Sequence, residues 1–157
     1  EELKNKGRIR AWGVSNFDKA DMEELFRVTG GTCCETDQVL YHLGSRGIEY
    51  DLLPWLQKRE IPLMAYCPLA QGGSLRRGLL RSSAVQNAAE AHDVSPTQVL
   101  LAFLLAHPGV VPIPRSSTAA HTRDNAAALS LQLSNAELAA LDAAFPAPNR
   151  PTPLDIV

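Results

Sequence analysis

Apolar positions along the chain fall into two alternating kinds of segment: short β-rich runs, and longer stretches with a three-to-four-residue spacing. The first run, residues 9–14 (Ile-Arg-Ala-Trp-Gly-Val), predicts a strand, and residues 19–28 predict a helix with Met22, Leu25 and Phe26 at i, i+3 and i+4 and Val28 close to that face. Gly30-Gly31 stops that helix. Residues 35–41 predict a second strand, followed by a helix over about 50–59 with Pro54 near its first turn. Residues 62–66 predict a third strand, apolar enough to lack strict alternation, and Gly72-Gly73 then opens a loop. Ser83-Ala84-Val85-Gln86 and Ser95-Pro96-Thr97-Gln98 both fit the capping box, the second with Pro at the first helical position, so helices are predicted over 83–92 and 96–106. A fourth strand covers 110–113, where proline removes donors that the ladder does not need. Helices follow over 119–129 and, from the capping box Ser134-Asn135-Ala136-Glu137, to about 145. The four prolines in the tail 146–157 exclude regular helix there.

Strand–helix alternation of this kind is the signature of βα units around a parallel sheet. The predicted fold class is α/β, a single domain over 1–157 made of four parallel strands with flanking helices. That is half of a TIM (β/α)₈ barrel, whose usual length is about 250 residues. Half a barrel leaves two edge strands, 9–14 and 110–113, with unpaired backbone groups. The preferred cover is a second copy closing an eight-stranded barrel, so a homodimer is expected; an N-terminal partner chain or local distortion are the other ways to bury the edges.

Composition narrows the function classes. Of 157 residues, 45% are hydrophobic and 20% charged, which suits a globular domain. The net charge is −2 and the 15 Lys and Arg are scattered, so no stripe for nucleic acid is present. The longest apolar run, residues 99–106, falls far short of the roughly 18 to 20 a membrane span needs, and the opening Glu1-Glu2-Leu3-Lys4 has no secretory apolar region. No membrane partner and a cytoplasmic location are expected. Cys33, Cys34 and Cys67 are odd in number and lack zinc spacing, which reads as reduced, buried thiols. Neither a Rossmann glycine fingerprint, a Gly-x-Ser-x-Gly elbow nor a two-metal carboxylate cluster is present, and no metal is expected.

Four motifs in order carry a resemblance. They are Gly7-Arg8-Ile9-Arg10-Ala11-Trp12-Gly13-Val14-Ser15-Asn16-Phe17, Asp37-Gln38-Val39-Leu40-Tyr41-His42, Met64-Ala65-Tyr66-Cys67-Pro68-Leu69-Ala70-Gln71-Gly72, and Ile113-Pro114-Arg115-Ser116-Ser117 with Arg123-Asp124-Asn125. Together they resemble the C-terminal half of the aldo-keto reductase family, strands five to eight and the C-terminal tail of the barrel. The ending, from Phe145-Pro146 to Leu154, is similar to a natural terminus in one bacterial branch, and the chain opens within what resembles the helix before strand five.

The resemblance implies NADP as cofactor. Ser15, Asn16 and Gln38 match residues that hydrogen-bond the nicotinamide carboxamide, a group needing both donor and acceptor. The plainer alternatives are a helix cap for Ser15 or Asn16 and an internally bonded core amide for Gln38. Tyr66 matches the aromatic platform stacked on the nicotinamide; an ordinary core tyrosine is the alternative. Pro68, Leu69, Gln71 and Gly72 match the loop that cradles the pyrophosphate, although Cys67 stands where many relatives have serine. Arg115, with Ser116 and Ser117, matches the cation and hydroxyls that meet the adenosine 2′-phosphate, and a guanidinium suits that dianion. Arg123 and Asn125 match adenine-side contacts, while Asp124 replaces a more usual Glu and His121 a frequent Arg; for Arg123 a solvated helix face is the alternative. Tyr41 and His42 read as packing and loop bonding, and His92 and His107 as cations near helix ends.

The family's catalytic Tyr, Lys, Asp and His come from the first half of its barrel, and no residue here matches them, so no catalytic residue is assigned. Two functional readings follow. One is a truncated NADPH-dependent carbonyl reductase, acting on a small carbonyl substrate only when an N-terminal half supplies the tetrad. The other is a non-catalytic half-barrel that binds dinucleotide or simply self-associates. A proteolytic or cloning remnant of a longer reductase is a third origin for the same sequence.

Overall fold

In the computed structural model, which describes residues 1–157, four strands pair in parallel and in chain order: β1 (Val14–Ser15), β2 (Asp37–Leu40), β3 (Leu63–Tyr66) and β4 (Val110–Pro112). A short α1 (Glu2–Asn5) precedes β1. The crossovers carry α2 (Lys19–Leu25), then α3 (Leu52–Gln57), then α4 (Gly73–Arg81), α5 (Ser83–His92) and α6 (Pro96–Leu105), with α7 (Ala119–Ala127) and α8 (Asn135–Ala144) after β4. The architecture is the expected α/β one, four parallel strands with flanking helices.

Register explains which face of the sheet is core. Val14, Asp37, Leu63 and Val110 lie side by side across the strands, as do Ser15, Gln38, Met64 and Val111 one residue later. Successive residues of a strand face opposite sides. Asp37, Val39, Leu63, Ala65 and Val110 are all buried, whereas on the other face Gln38, Met64 and Tyr66 are half-buried and Val111 is 46% exposed, with Leu40 alone buried there. Helices therefore cover one face and leave the other open. The covered side is one cluster of 26 buried residues, centred on α6, where every residue from Gln98 to Leu104 is buried. A helix apolar all round belongs inside, which is where α6 sits.

Three local features depart from the sequence reading. The first strand is ladder-bonded only at Val14–Ser15, not over 9–14: with no neighbour on its outer side, residues 9–11 make no sheet contacts. Its approach to β2 depends on Gly13, where a Cβ would lie 2.5 Å from the Thr36 side chain and carbonyl. Secondly, a helix rather than a loop follows Gly72-Gly73, because Leu75 and Leu79 share the helical i, i+4 spacing and Leu79 is buried. Thirdly, α5 has no capping box at Ser83. Ser82 is its N-cap without a side-chain bond, and the Gln86 carboxamide instead donates to the Leu80 carbonyl at the end of α4. The boxes at Ser95–Gln98 and Ser134–Glu137 form as read, and Asp18 with Asp21 makes a third that opens α2. Helix α2 stops at Leu25 and α3 at Gln57, shorter than their apolar spacing suggests, and α7 ends in a 3₁₀ turn over Ala128–Ser130.

Arg46 organises one buried polar group, with Glu49 and Tyr41. Its guanidinium is bidentate to Glu49 (2.8 and 2.7 Å), meets Asp142 of α8 at 2.8 Å, donates to the Phe145 carbonyl and lies 5.0 Å over the Phe103 ring. Glu49 also accepts from the buried Tyr41 hydroxyl at 2.7 Å. Burial and the anionic Glu49 push the Tyr41 hydroxyl well above the usual phenol range, so it stays a donor. One side chain thus joins the loop after β2 to α6 and α8. Replacing Arg46 by Ala leaves Glu49 buried without its cation and is expected to cost about 3 kcal/mol or more, read as a fall in the urea midpoint at unchanged slope. Gly13→Ala, by contrast, must force β1 away from β2 and is expected to act on the sheet edge alone, read as lost amide protection at Val14 and Asn16 with the α6 amides unaffected.

Candidate functional site

The C-terminal ends of β1, β2 and β3 lie side by side, and the loops leaving them carry most of the residues singled out in the sequence. The Ser15 hydroxyl donates to the Gln38 carbonyl at 2.9 Å, and the Asn16 backbone N–H donates to the same oxygen at 2.9 Å. Asn16 has a left-handed backbone (φ 58), and its side-chain oxygen accepts from the Tyr66 hydroxyl at 3.1 Å. That bond spans the sheet from β1 to β3, above Gln38 on the strand between them. The cap of α2 is supplied by Asp18, not by Ser15 or Asn16. The Gln38 carboxamide makes no hydrogen bond within the chain and is only half-buried. Ser15, Asn16, Gln38 and Tyr66 are therefore one neighbourhood on the open face.

A cleft of about 480 Å³ lies beside it, walled by the loop 67–71, by Arg76 of α4 and by Arg115, Ser116 and Ser117 after β4. Pro68 and Leu69 are buried, so their contribution to the cleft is backbone. The backbone N–H groups of Leu69, Gln71 and Gly72, and those of Ser116 and Ser117, make no bond within the chain. Gly72 caps α4 with φ +119 and stands at the margin of the cleft rather than in its wall. Cys67 (φ 49) and Ala70 (φ 61) adopt the left-handed region, as Asn16 does, each at a cost of about 1 kcal/mol or more. Strain of this kind is concentrated at these strand ends.

Arg115 and Ser116 also border a second, largely apolar groove of about 730 Å³ that includes Asn125 and runs along β4 and α7. Asn125 is thus near Arg115 but not in the first cleft. Arg123 is exposed and lines neither cavity. Asp124 is tied to α6 instead, accepting from the Ser95 hydroxyl at 3.0 Å through its carboxylate and from the Gln98 carboxamide at 3.1 Å through its carbonyl. Ser116 already donates its hydroxyl to the Thr118 carbonyl, and Thr118 caps α7. His42 is fully buried and accepts from Gly44 N–H at 3.1 Å; burial holds its imidazole below the ordinary value. His92 meets Glu137 at 2.9 Å, joining α5 to α8, and the Ser134 and His92 bonds hold that carboxyl down at about 2. No group of three or more His, Cys, Asp or Glu is placed to hold a metal, and no helix is long and apolar enough to cross a membrane.

Asp37 was quoted in a motif but given no role, and the structure makes it conspicuous. It is completely buried on the helix-covered face, with neither carboxyl oxygen in a well-formed hydrogen bond. Burial raises its carboxyl to about 7, only partly opposed by the neighbouring backbone N–H groups of Phe17 and Gln38.

The fold and site together define half of a parallel βα barrel with its polar groups at the C-terminal rim of the strands, the end where barrel enzymes place their chemistry. The profile of the Aldo/keto reductase family matches residues 1–145. This chain belongs to that family. It is 58% identical over its whole length to methylglyoxal reductase YeaE of Escherichia coli, covering 55% of that protein. It is 34% identical to glyoxal reductase of Bacillus subtilis, over 91% of this chain and 49% of that one. Among solved structures, an aldo/keto reductase from Klebsiella pneumoniae in complex with NADP and acetate superposes with a TM-score of 0.95 at 52% identity, over 99% of this chain and 55% of that chain. The chain spans about half the length of the relatives it matches.

Asp37 gives this half-barrel a pH dependence of defined sign. The folded carboxyl keeps its proton to about pH 7, while a solvated one releases it near 3.8, so unfolding releases a proton in between. Stability is expected to fall as pH rises from about 4 to about 7. In Asp37→Asn that component vanishes and the protein is more stable at neutral pH; thermal melts of both proteins across this range would show a difference that grows with pH.

Proposed function

We propose that the chain is the cofactor-holding half of an NADPH-dependent carbonyl reductase, with NADP as its dinucleotide. One observation carries this reading: the Tyr66–Asn16 hydrogen bond gathers Ser15, Asn16, Gln38 and Tyr66 at a single rim beside a cleft walled by Arg115 and unbonded backbone N–H groups. The Klebsiella relatives solved with NADP and with NADPH, at 52% and 53% identity, support it.

The residues fit the group in their donor set. Ser15, Asn16 and Gln38 would hold the nicotinamide carboxamide, the last through a side chain with both donor and acceptor unused. The half-buried Tyr66 ring would stack on the nicotinamide and fix which face is presented. Pro68, Leu69, Gln71 and Gly72 would shape the pyrophosphate loop through their backbone. Arg115, Ser116 and Ser117 would meet the 2′-phosphate, and Asn125, with Arg123 at the periphery, the adenine side. When bound, the reduced cofactor supplies hydride to a carbonyl carbon. Small carbonyls such as those in the names of the E. coli and B. subtilis relatives are the proposed substrate class. The acid that protonates the carbonyl oxygen would come from the half of the barrel not included in these residues. A cytoplasmic setting accords with the three free thiols, although of the three expected to be buried only Cys34 is, Cys67 being half-buried and Cys33 exposed.

A second reading rests on the two free edges. Strand order β1-β2-β3-β4 leaves β1 and β4 each paired on one side only. Two copies related by a two-fold along the barrel axis would set each β4 beside the partner's β1 in parallel, closing eight strands. A solution mass of two chains is expected for this non-catalytic, self-associated form; a monomer would sink it.

For the reductase reading, fluorescence titration of the chain with NADPH is expected to saturate and to favour NADPH over NADH. Arg115→Ala should lower NADPH affinity by about 10- to 100-fold, as for a lost charge-assisted contact, with little change for NADH. NADPH oxidation with methylglyoxal should stay at background for the chain alone and rise when the other half of the barrel is supplied from the E. coli relative. Absence of saturable binding, or equal affinity for the two dinucleotides, overturns the cofactor assignment.

A further inference from the structure

We propose that Arg76 is a second phosphate-binding residue, holding the pyrophosphate from α4 while Arg115 holds the 2′-phosphate from the loop after β4. The inference rests on the NADP reading above and extends it to a residue that no sequence motif singled out.

Three observations point to it. Arg76 is half-buried and lines the same 480 Å³ cleft as loop 67–71, Arg115, Ser116 and Ser117. No Asp or Glu lines that cleft. Neither Arg76 nor Arg115 takes part in an ion pair or donates a side-chain hydrogen bond, so both guanidinium groups keep all their donors for a ligand. In a chain of net charge −2, two guanidinium groups facing one acid-free cleft form a local concentration of positive charge. The remaining wall groups, the unbonded N–H groups of Leu69, Gln71, Ser116 and Ser117, are donors too. A planar five-donor guanidinium matches phosphate oxygens in pairs.

Position divides the work between the two arginines. Arg76 lies one turn into α4, which starts from the loop 67–72, whereas Arg115 follows β4 and also borders the groove containing Asn125. Arg76 therefore faces the phosphates common to every nicotinamide dinucleotide. Arg115 lies toward the adenosine end, where the 2′-phosphate distinguishes NADP from NAD. The neighbouring Arg77 is exposed and outside the cleft, and serves as an internal control of equal charge.

The test compares NADPH and NADH titrations of the chain with those of Arg76→Ala, Arg76→Gln, Arg77→Ala and Arg115→Ala, each checked for folding by circular dichroism. Inorganic pyrophosphate serves as competitor. Arg76→Ala and Arg76→Gln are expected to weaken both dinucleotides by the same factor, about tenfold or more, and to weaken competition by pyrophosphate equally. Arg77→Ala should stay within about twofold of the parent, and Arg115→Ala should weaken NADPH far more than NADH. If both Arg76 variants bind like the parent while Arg115→Ala loses NADPH, the role of Arg76 is refuted and the NADP reading stands. If the Arg76 variants weaken NADPH only, or Arg77→Ala weakens binding as much as Arg76→Ala, the assignment to pyrophosphate fails. If the parent chain binds neither dinucleotide, both readings fall together.

Discussion

A strand in a parallel sheet needs hydrogen-bond partners on both sides, and only β2 and β3 have them here. That constraint shapes the rest of the molecule. Helices satisfy the sheet's covered face with a 26-residue apolar cluster, and the register that puts Leu63 and Ala65 into it turns Gln38, Met64 and Tyr66 the other way. The polar rim and the open face are thus consequences of one alternation along three short strands. Barrel closure in longer relatives would cover the same face from the inside, which is why half-buried side chains there are not packing defects.

Two buried ionisable groups show how differently the core handles charge. Arg46 meets acceptors from the turn after β2 and from α8 and its C-cap, over the Phe103 ring of α6, so its charge is matched and its geometry fixed. Asp37, a few residues earlier, has no comparable partner and is better buried with its proton on. The first arrangement gives rigidity between the β2 loop and the C-terminal helix. The second leaves a small conditional instability beneath the β1–β2 pair, directly below Ser15 and Gln38.

Much of this was legible in the sequence. The apolar runs located β2, β3 and β4, while β1 overlaps its predicted run only at Val14; the boxes at Ser95 and Ser134 marked helix starts because reciprocal Ser and Gln or Glu side chains leave a fixed four-residue signature. Three features were not. The Ser83 pattern misled because Gln86 found an unsatisfied carbonyl at Leu80, a partner that exists only once α4 ends there. Helix α4 was hidden by the Gly72-Gly73 pair, which reads as a loop although the apolar spacing behind it is helical. Arg46 and Asp37 carry no local sign of burial, since their surroundings come from residues distant in sequence. At the candidate site, Ser15, Asn16, Gln38 and Tyr66 lie beside one another across β1 to β3, while α7 carries Asn125 round to the next groove and leaves Arg123 exposed outside both cavities.

Arg115 and Ser116 wall the cleft on one side and, on the other, the apolar groove where Val111 and Leu129 stand exposed along β4 and α7. The same short loop is thus shared by the cleft proposed for phosphate and by the free margin of the sheet. If a strand laid on that margin and an anion in the cleft both fix this loop, each favours the other. Thermodynamic linkage makes the two effects equal in size: the factor by which occupancy tightens assembly is the factor by which assembly tightens occupancy.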